Sequence, residues 1–404
     1  LIEGDDGMKL IDITGKAISG EWGNDCEDGN GIPVLRTTNF TDTGVINFAN
    51  VVLRDIPTKD LSKKFLRPGD IIIEKSGGSD TKPVGRVVYF DSEENKYLIN
   101  NFTGLLRVVD QTKWYPRYVF YALFANYSFG GTRQYENKTT GLHNLKLDQY
   151  LNSFDIPDVD FQLQHHIADT LDKVSEGIEV CRRMLGELDL MVKAKFGEMF
   201  GDPTGNSFNL SVKPMTEVCE IIDGDRGKNY PNADEFSDEG YCLFLNAKNV
   251  TASGFNFDNC MYITKEKDDI LRKGKLSRGD VVLTTRGTIG NLAFYTSDIP
   301  YEHMRINSGM VILRMNRKII NEVFFIEQFK MLLDDIKQKN ASGSAQPQLP
   351  ISAMREINIL LPDIEQQKIF SEFVAKSNKS RLTLQQVLSK IELEQKVLMQ
   401  KYFG

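Results

Sequence analysis

Leu66-Arg67-Pro68-Gly69-Asp70-Ile71-Ile72-Ile73 and Leu276-Ser277-Arg278-Gly279-Asp280-Val281-Val282-Leu283 are one phrase written twice, 210 residues apart. In each, a Gly-Asp turn hands the chain to an apolar run of strand character. Outward from this phrase the rest of the chain repeats in the same order, at offsets of 203 to 210 residues. Thr38-Asn39-Phe40 and Gly44-Val45-Ile46-Asn47-Phe48 match Lys248-Asn249-Val250 and Gly254-Phe255-Asn256-Phe257. Val84-Gly85-Arg86-Val87-Val88-Tyr89 matches Ile289-Gly290-Asn291-Leu292-Ala293-Phe294, and Ile156-Pro157-Asp158-Val159 matches Leu361-Pro362-Asp363-Ile364. Phe200-Gly201 matches Phe403-Gly404. Chance supplies one such match but not five in order, so the chain is an internal duplication. The offset falls by five after the Gly-Asp strand, which places an insertion, expected as a surface loop, at Ser76 to Pro83 of the first copy.

Each copy opens with a strand-rich, turn-punctuated region. A short amphipathic helix follows, expected at Pro116 to Asn126 and at Asn321 to Lys337. Next comes a polar loop, Gly130 to Asn144 or Asn340 to Gln348, then a strand ending in Ile156-Pro157 or Leu361-Pro362, and a long helix. In the first long helix Ile167, Leu171, Val174, Ile178, Cys181, Leu185, Leu188 and Val192 step by alternating four and three residues, a heptad seam. In the second the reading is Phe370, Phe373, Ser377, Ser380, Leu384, Val387, Ile391, Glu394 and Leu398, with polar residues that cost stability but fix register. Each helix spans roughly 55–60 Å. Two separate surface helices are the alternative, but an unbroken seam asks for a long, straight partner. The expected fold is therefore α+β: two duplicated mixed α/β domains separated by an antiparallel two-helix coiled coil with pseudo-two-fold symmetry. The expected boundaries are 8–158, 159–203, 204–362 and 363–404. If the helices pair antiparallel, the second returns toward the first domain and the two domains occupy opposite ends of a rod.

Composition bounds the function. The 404 residues suffice for two or three domains. No run approaches the roughly 18 apolar residues of a membrane span. Leu1 to Gly7 lacks the order of a signal peptide and reads as a foreign remnant ahead of Met8. Five scattered cysteines (Cys26, Cys181, Cys219, Cys242, Cys260), never in a CxxC pair, read as small hydrophobes in a reducing cytosol. The formal charge is −7. Residues 162–200 carry five Lys/Arg against seven Asp/Glu, and residues 364–404 carry seven against four, which leaves −8 outside the long helices. A surface that faces a polyanion would then be a local basic patch, or a partner would supply much of the contact.

Motifs for catalysis are missing. There is no Asn-Pro-Pro-[Tyr/Phe] or Asp-Pro-Pro-Tyr, no Gly-rich turn between strand and helix, and no GxxxxGK[ST] loop. His143, His165, His166 and His303 lack metal-ligand spacing, and no metal is expected.

Two such heads on one chain present two similar but non-identical surfaces, as two-fold DNA-binding dimers present two equal ones. Taken with Ile32-Pro33-Val34-Leu35-Arg36-Thr37-Thr38-Asn39, the Pro-Gly-Asp-Ile and Arg-Gly-Asp-Val turns, and Phe196-Gly197-Glu198-Met199-Phe200-Gly201-Asp202-Pro203, the chain resembles type I restriction-modification specificity subunits over residues 8–404. The resemblance implies a non-catalytic, cytoplasmic protein whose two target recognition domains each read half of a bipartite site on double-stranded DNA. It implies that the helices set the spacing and dock two copies of a methyltransferase subunit, with restriction (translocase/nuclease) subunits joining that core. S-adenosylmethionine would belong to the methyltransferase, leaving this chain without a cofactor. A related system, with methylase and nuclease on one polypeptide, is a variant of the same reading. A coiled-coil adaptor that binds proteins is the competing reading from another class, favoured by the acidic domains; a free-standing enzyme is disfavoured by the missing motifs.

Base edges and phosphates are contacted by Arg, Lys, Asn, Gln, Ser and Thr displayed from loops. In the first domain the candidates are Arg36, Thr38, Asn39, Lys75, Ser76, Arg133, Gln134, Lys138, His143 and Asn144. In the second they are Arg226, Lys228, Asn229, Lys248, Asn249, Arg286, Thr288, Arg305, Asn307, Gln346 and Gln348. For each, a solvated surface role weighs equally, and Asn39 and Asn249 have the alternative of forming turns.

Overall fold

The computed structural model describes residues 7–57, 60–139, 142–340 and 349–404. Residues 1–6 of the supposed remnant and residues 341–348 of the second polar loop lie outside the described residues. The chain forms two compact units, one of Leu1–Met184 with Leu384–Gly404 and the other of Leu185–Thr383. Each unit thus holds one strand-rich domain and a part of both long helices.

In the first unit a four-stranded antiparallel sheet runs in the order Ile18–Ser19, Thr103–Leu106, Ile71–Glu74, Val87–Tyr89. Alternation along Ile71-Ile72-Ile73 sends Ile71 and Ile73 into a core with the helix Pro116–Ser128, and Ile72 into a second core with Leu35, Phe90 and Leu105. A strand covered on both faces is apolar at every position, which is why this run reads as continuous. The second unit repeats the sheet as Cys219–Asp223, Met310–Met315, Val281–Thr284, Leu292–Phe294. There Val281 and Leu283 join one core and Val282 another. A smaller sheet also recurs, with a parallel pair in each copy: Ile32–Leu35 beside Leu98–Ile99, and Cys242–Leu245 beside Met304–Ile306.

The duplicated phrase has a physical cause. Gly69 and Gly279 sit at φ +95° and +93°, a region open to glycine. The next residue, Asp70 or Asp280, accepts the backbone N–H three residues earlier at 2.7 Å and a guanidinium, from Arg107 just past the neighbouring strand or from Arg314 within it. Both carboxylates are buried, and both remain satisfied.

The long helices are Phe161–Phe200 and Ile364–Phe403, 40 residues each. Both begin on a buried glutamine that ties the helix to its domain. Gln164 accepts from the Tyr115 amide and donates to the Lys113 and Val159 carbonyls; Gln367 does the same with Asn321, Ile319 and Pro362. Inside each unit the helices run antiparallel. In the first, Ile167 and Leu171 share a core with Met399, Ser175 accepts from Gln395 at 2.8 Å, and Arg182 donates to Glu392 at 2.8 Å. In the second, Val192, Phe196 and Phe200 pack with Phe370 and Val374, and Arg381 pairs with Asp189. The duplicated Phe-Gly endings are plugs: Phe403 packs tilted against Tyr118 in the first unit at 5.2 Å between centroids, and Phe200 edge-to-face against Phe324 in the second at 5.0 Å. Each long helix therefore ends in the unit whose globular domain does not immediately precede it in the chain.

The first seam lies where the spacing puts it, with Ile167, Leu171, Ile178, Cys181 and Val192 buried and Val174, Leu185 and Leu188 half-buried. The second is out of phase at alternate positions. Phe370, Ser377, Leu384, Ile391 and Leu398 face inward, but the intervening inward residues are Val374, Arg381, Leu388 and Gln395, one later than the expected Phe373, Ser380, Val387 and Glu394. Val387 is 39% exposed, and Ser380 and Glu394 lie open, while Phe373 packs partly on the core. The step after Phe370 is four, not three; apolar Phe373 and Val387 disguised that because the true positions carry Arg381 and Gln395.

The expected first polar loop is also different. It holds a 3-10 turn, Gly131–Tyr135, and the strands Glu136–Thr139 and Leu142–Leu145, which pair antiparallel. The insertion contributes Ser76–Gly77 to the same three-stranded sheet rather than staying a loop throughout. Polar strands with an open face carry no long apolar run, so their composition resembles a loop.

Candidate nucleic-acid interface

The candidate residues separate into those that hold the scaffold and those that are displayed. Asn39 and Asn249 belong to the scaffold and not to the displayed surface. Each is buried, accepts the backbone N–H three residues earlier at 2.9 Å, and donates to two loop carbonyls, Asn47 and Asn50 for Asn39, Asn256 and Asn259 for Asn249. Both N–H groups of each amide are spent and both side chains are closed off from solvent. Arg305, expected at the DNA surface, belongs to the scaffold as well. It is 3% exposed, pairs with buried Asp268 through Nε at 2.8 Å, and donates its other nitrogens to the carbonyls of Lys273, Asp268 and Leu271. His143 is buried too, its Nδ1 3.1 Å from Glu136. Residue type alone does not separate a donor turned to solvent from one spent on an internal acceptor.

Other candidates come together. In the first unit Ser76 pairs with Asn144 across the strands and donates to its Oδ1 at 2.5 Å, while the Lys75 carbonyl accepts the Leu145 amide. Lys75 is half-buried, and desolvation pushes its ammonium below the ordinary lysine value, partly offset by the charge of Asp148. Exposed Arg133 reaches the insertion backbone at Asp80 and Thr81, and Gln134 is exposed beside it. Lys138 lies on the hairpin strand, its side chain outside the described residues. Arg36 and Thr38 stand on the 3-10 turn at Thr37–Asn39, with Arg36 donating to the Asn50 carbonyl and Thr38 exposed.

In the second unit Arg226 and Arg286 line one cleft, Arg226 donating to Asp223 and to the Ser308 carbonyl at 3.1 Å. Asn307, half-buried, accepts the Gly309 amide. Lys228, Lys248 and Thr288 are exposed and Asn229 half-buried. Gln346 and Gln348 lie outside the described residues.

Sequence reading missed Arg86, which donates to the carbonyls of Thr37 and Phe40 and approaches Glu74 at 3.5 Å, so that it ties the Arg36–Asn39 turn to the strand that leads into Lys75. Its counterpart Asn291 donates to the carbonyl of Val250, the counterpart of Phe40. Both lie inside the repeated Val-Gly segment, which was the available signal. Of the histidines, His165 stacks on Tyr115 and His303 on Tyr241. Among the described residues no helix is long and apolar enough to cross a membrane.

Residues 209–395 match the family model for the type I restriction modification DNA specificity domain. The fold is similar to that of the S subunit of a type I restriction-modification system from M. genitalium, at 16% identity and a TM-score of 0.53, over 100% of this chain and 97% of that one. It is similar too to a chain solved to explain complex assembly and conformational transition of the type I R-M system, at 15% identity and a TM-score of 0.54, over 100% of this chain and 98% of that one.

Proposed function

We propose, from the premise that this chain carries a type I restriction modification DNA specificity domain, that it is the sequence-reading, non-catalytic subunit of a type I complex, each of its two domains recognising one half of a bipartite site on duplex DNA. The duplication carries the reading. The groups that build the frame recur in both copies: the Asp70 and Asp280 pairs, the Asn39 and Asn249 staples, and the Gln164 and Gln367 anchors. The residues displayed on that frame differ, Thr38 against Lys248 and Ser76 against Arg286. A constant frame with divergent display is what two readers of different half-sites need.

The helices support the second part, that they set the spacing and dock two methyltransferase subunits. Leu190 and Leu393 occupy equivalent positions and are 66% and 63% exposed; Met184 and Val387 are also equivalent and open. A repeated exposed apolar position suits two copies of the same partner. S-adenosylmethionine and the methyl transfer reside in those partners, and cleavage in restriction subunits.

Co-purification and DNA titration test the proposal together. The methyltransferase should accompany the chain at two copies. A labelled duplex should bind poorly to the chain alone and tightly to the complex, because −8 outside the helices leaves little counterion release. Equal affinity with and without the partner would refute that division of labour, and absence of both partner and DNA binding would favour a protein-binding adaptor.

A further inference from the structure

The two units each contain a half-open cleft at the same place in the repeated frame. In the first unit it measures about 460 Å³ and in the second about 240 Å³. The correspondence holds in the backbone pairing of both walls. Ser19 pairs with Gly104 on one wall of the first, as Asp223 pairs with Val311 in the second. On the other wall the Leu145 amide donates to the Lys75 carbonyl at 2.8 Å, as the Leu349 amide donates to the Thr285 carbonyl at 3.2 Å.

The lining does not correspond. The first cleft presents Ser19, Lys75, Lys146, Asp148 and Gln149; the second presents Asp223, Arg226, Thr285 and, one residue on, Arg286. The cation thus moves from Lys75 in the sequence Lys75-Ser76 to Arg286 in Thr285-Arg286, so that it enters from a different direction. Thr285 is spent on the Gly309 carbonyl, and Arg226 on Asp223. The side chains of Lys75 and Arg286 make no hydrogen bond or ion pair among the described residues, and half-buried Lys75 has the charge of Asp148 in the same cleft but no bonded acceptor.

We infer that these paired clefts are the base-reading sites of the two domains, Lys75 and Arg286 each donating to an acceptor-rich base edge, such as guanine O6/N7, in the major groove. The inference rests on the proposed DNA-reading role and deepens it. A phosphate is the same at every sequence, so duplication would leave a phosphate contact alike in both copies; a base contact is the one that must diverge. Lysine and arginine carry donors only, which selects an edge of acceptors.

The test uses the full chain with its methyltransferase. Lys75→Met and Arg286→Met keep the aliphatic stems and remove the charge; thermal melts matching the parent show that folding is intact. Methylated sites are mapped in genomic DNA, and binding is measured on duplexes changed one base pair at a time, over a salt series. K75M should lower discrimination at one position of one half-site by about 5- to 150-fold, leaving the other half-site and the salt slope unchanged. R286M should do the same in the other half-site, and Arg286→Lys should restore part of the discrimination. Uniform loss at all sequences with a shallower salt slope would make these phosphate contacts and overturn the inference. So would unchanged specificity in both variants while the parent complex still reads a split site, which leaves the broader function standing. A parent complex that reads no split site would remove both.

Discussion

Substituting the two plug phenylalanines should loosen opposite units. Phe200 is fully buried, its ring 5.0 Å from Phe324, 5.1 Å from Phe196 and 5.7 Å from Phe370. Truncation to alanine removes that packing and leaves a cavity, a loss of about 3–5 kcal/mol. Phe403 is half-buried against Tyr118, so Phe403→Ala should cost roughly half as much, about 1.5–2.5 kcal/mol. Hydrogen exchange reads the location as well as the size. In Phe200→Ala, the most protected amides of the helix Glu322–Asn340 should exchange faster by roughly a hundred- to several-thousand-fold, since about 1.4 kcal/mol is tenfold. In Phe403→Ala the acceleration should fall on Pro116–Ser128 and Leu147–Ser153 instead, by about ten- to a hundred-fold. The refuting result is each substitution loosening the domain that precedes its own helix in the chain. That would mean the helix ends do not plug the units assigned to them.

Asp268→Asn should destabilise the second unit by about 3–5 kcal/mol in chemical denaturation, because it leaves the buried Arg305 guanidinium without its counter-charge. Burial raises the Asp268 pKa, but hydrogen bonds from Lys275 and Arg305 outweigh it and hold the carboxyl below the ordinary aspartate value. A depressed pKa contributes stability that is present above the unfolded value near 3.8 and lost as pH falls through the folded one, so acid unfolding of the parent should steepen below that value and flatten in the variant. Adding one heptad after Leu185 and one after Val387 lengthens the paired helices by about 10 Å. Mapped sites should keep both half-sites while the spacer grows by roughly three base pairs, and an unchanged spacer in an active complex would end the idea that the helices set it.

What was legible in the sequence was what the backbone demands. Gly69 and Gly279 are fixed by positive φ, Ile71–Ile73 and Val281–Leu283 by burial on both faces, and the first seam by its unbroken apolar step. The second seam was misphased because two of its inward positions are Arg381 and Gln395, whose partners Asp189 and Ser175 lie about 200 residues away. Distance in sequence hid the rest as well. Arg305 and His143 have the donors of DNA contacts, but Asp268 and Glu136 claim them, which composition cannot foretell. Gln164 and Gln367 were available at the 203-residue offset but stand among other polar residues, where only their burial distinguishes them.

Replacing residues 208–356 with the equivalent domain of another specificity subunit, then mapping methylated sites in cells that carry the chimera and its methyltransferase, tests most directly whether two independent readers share one chain. Contacts in separate domains should add, so one half-site should change while the other stays as in the parent. Both half-sites changing together would contradict the account, because specificity would then belong to the joint assembly.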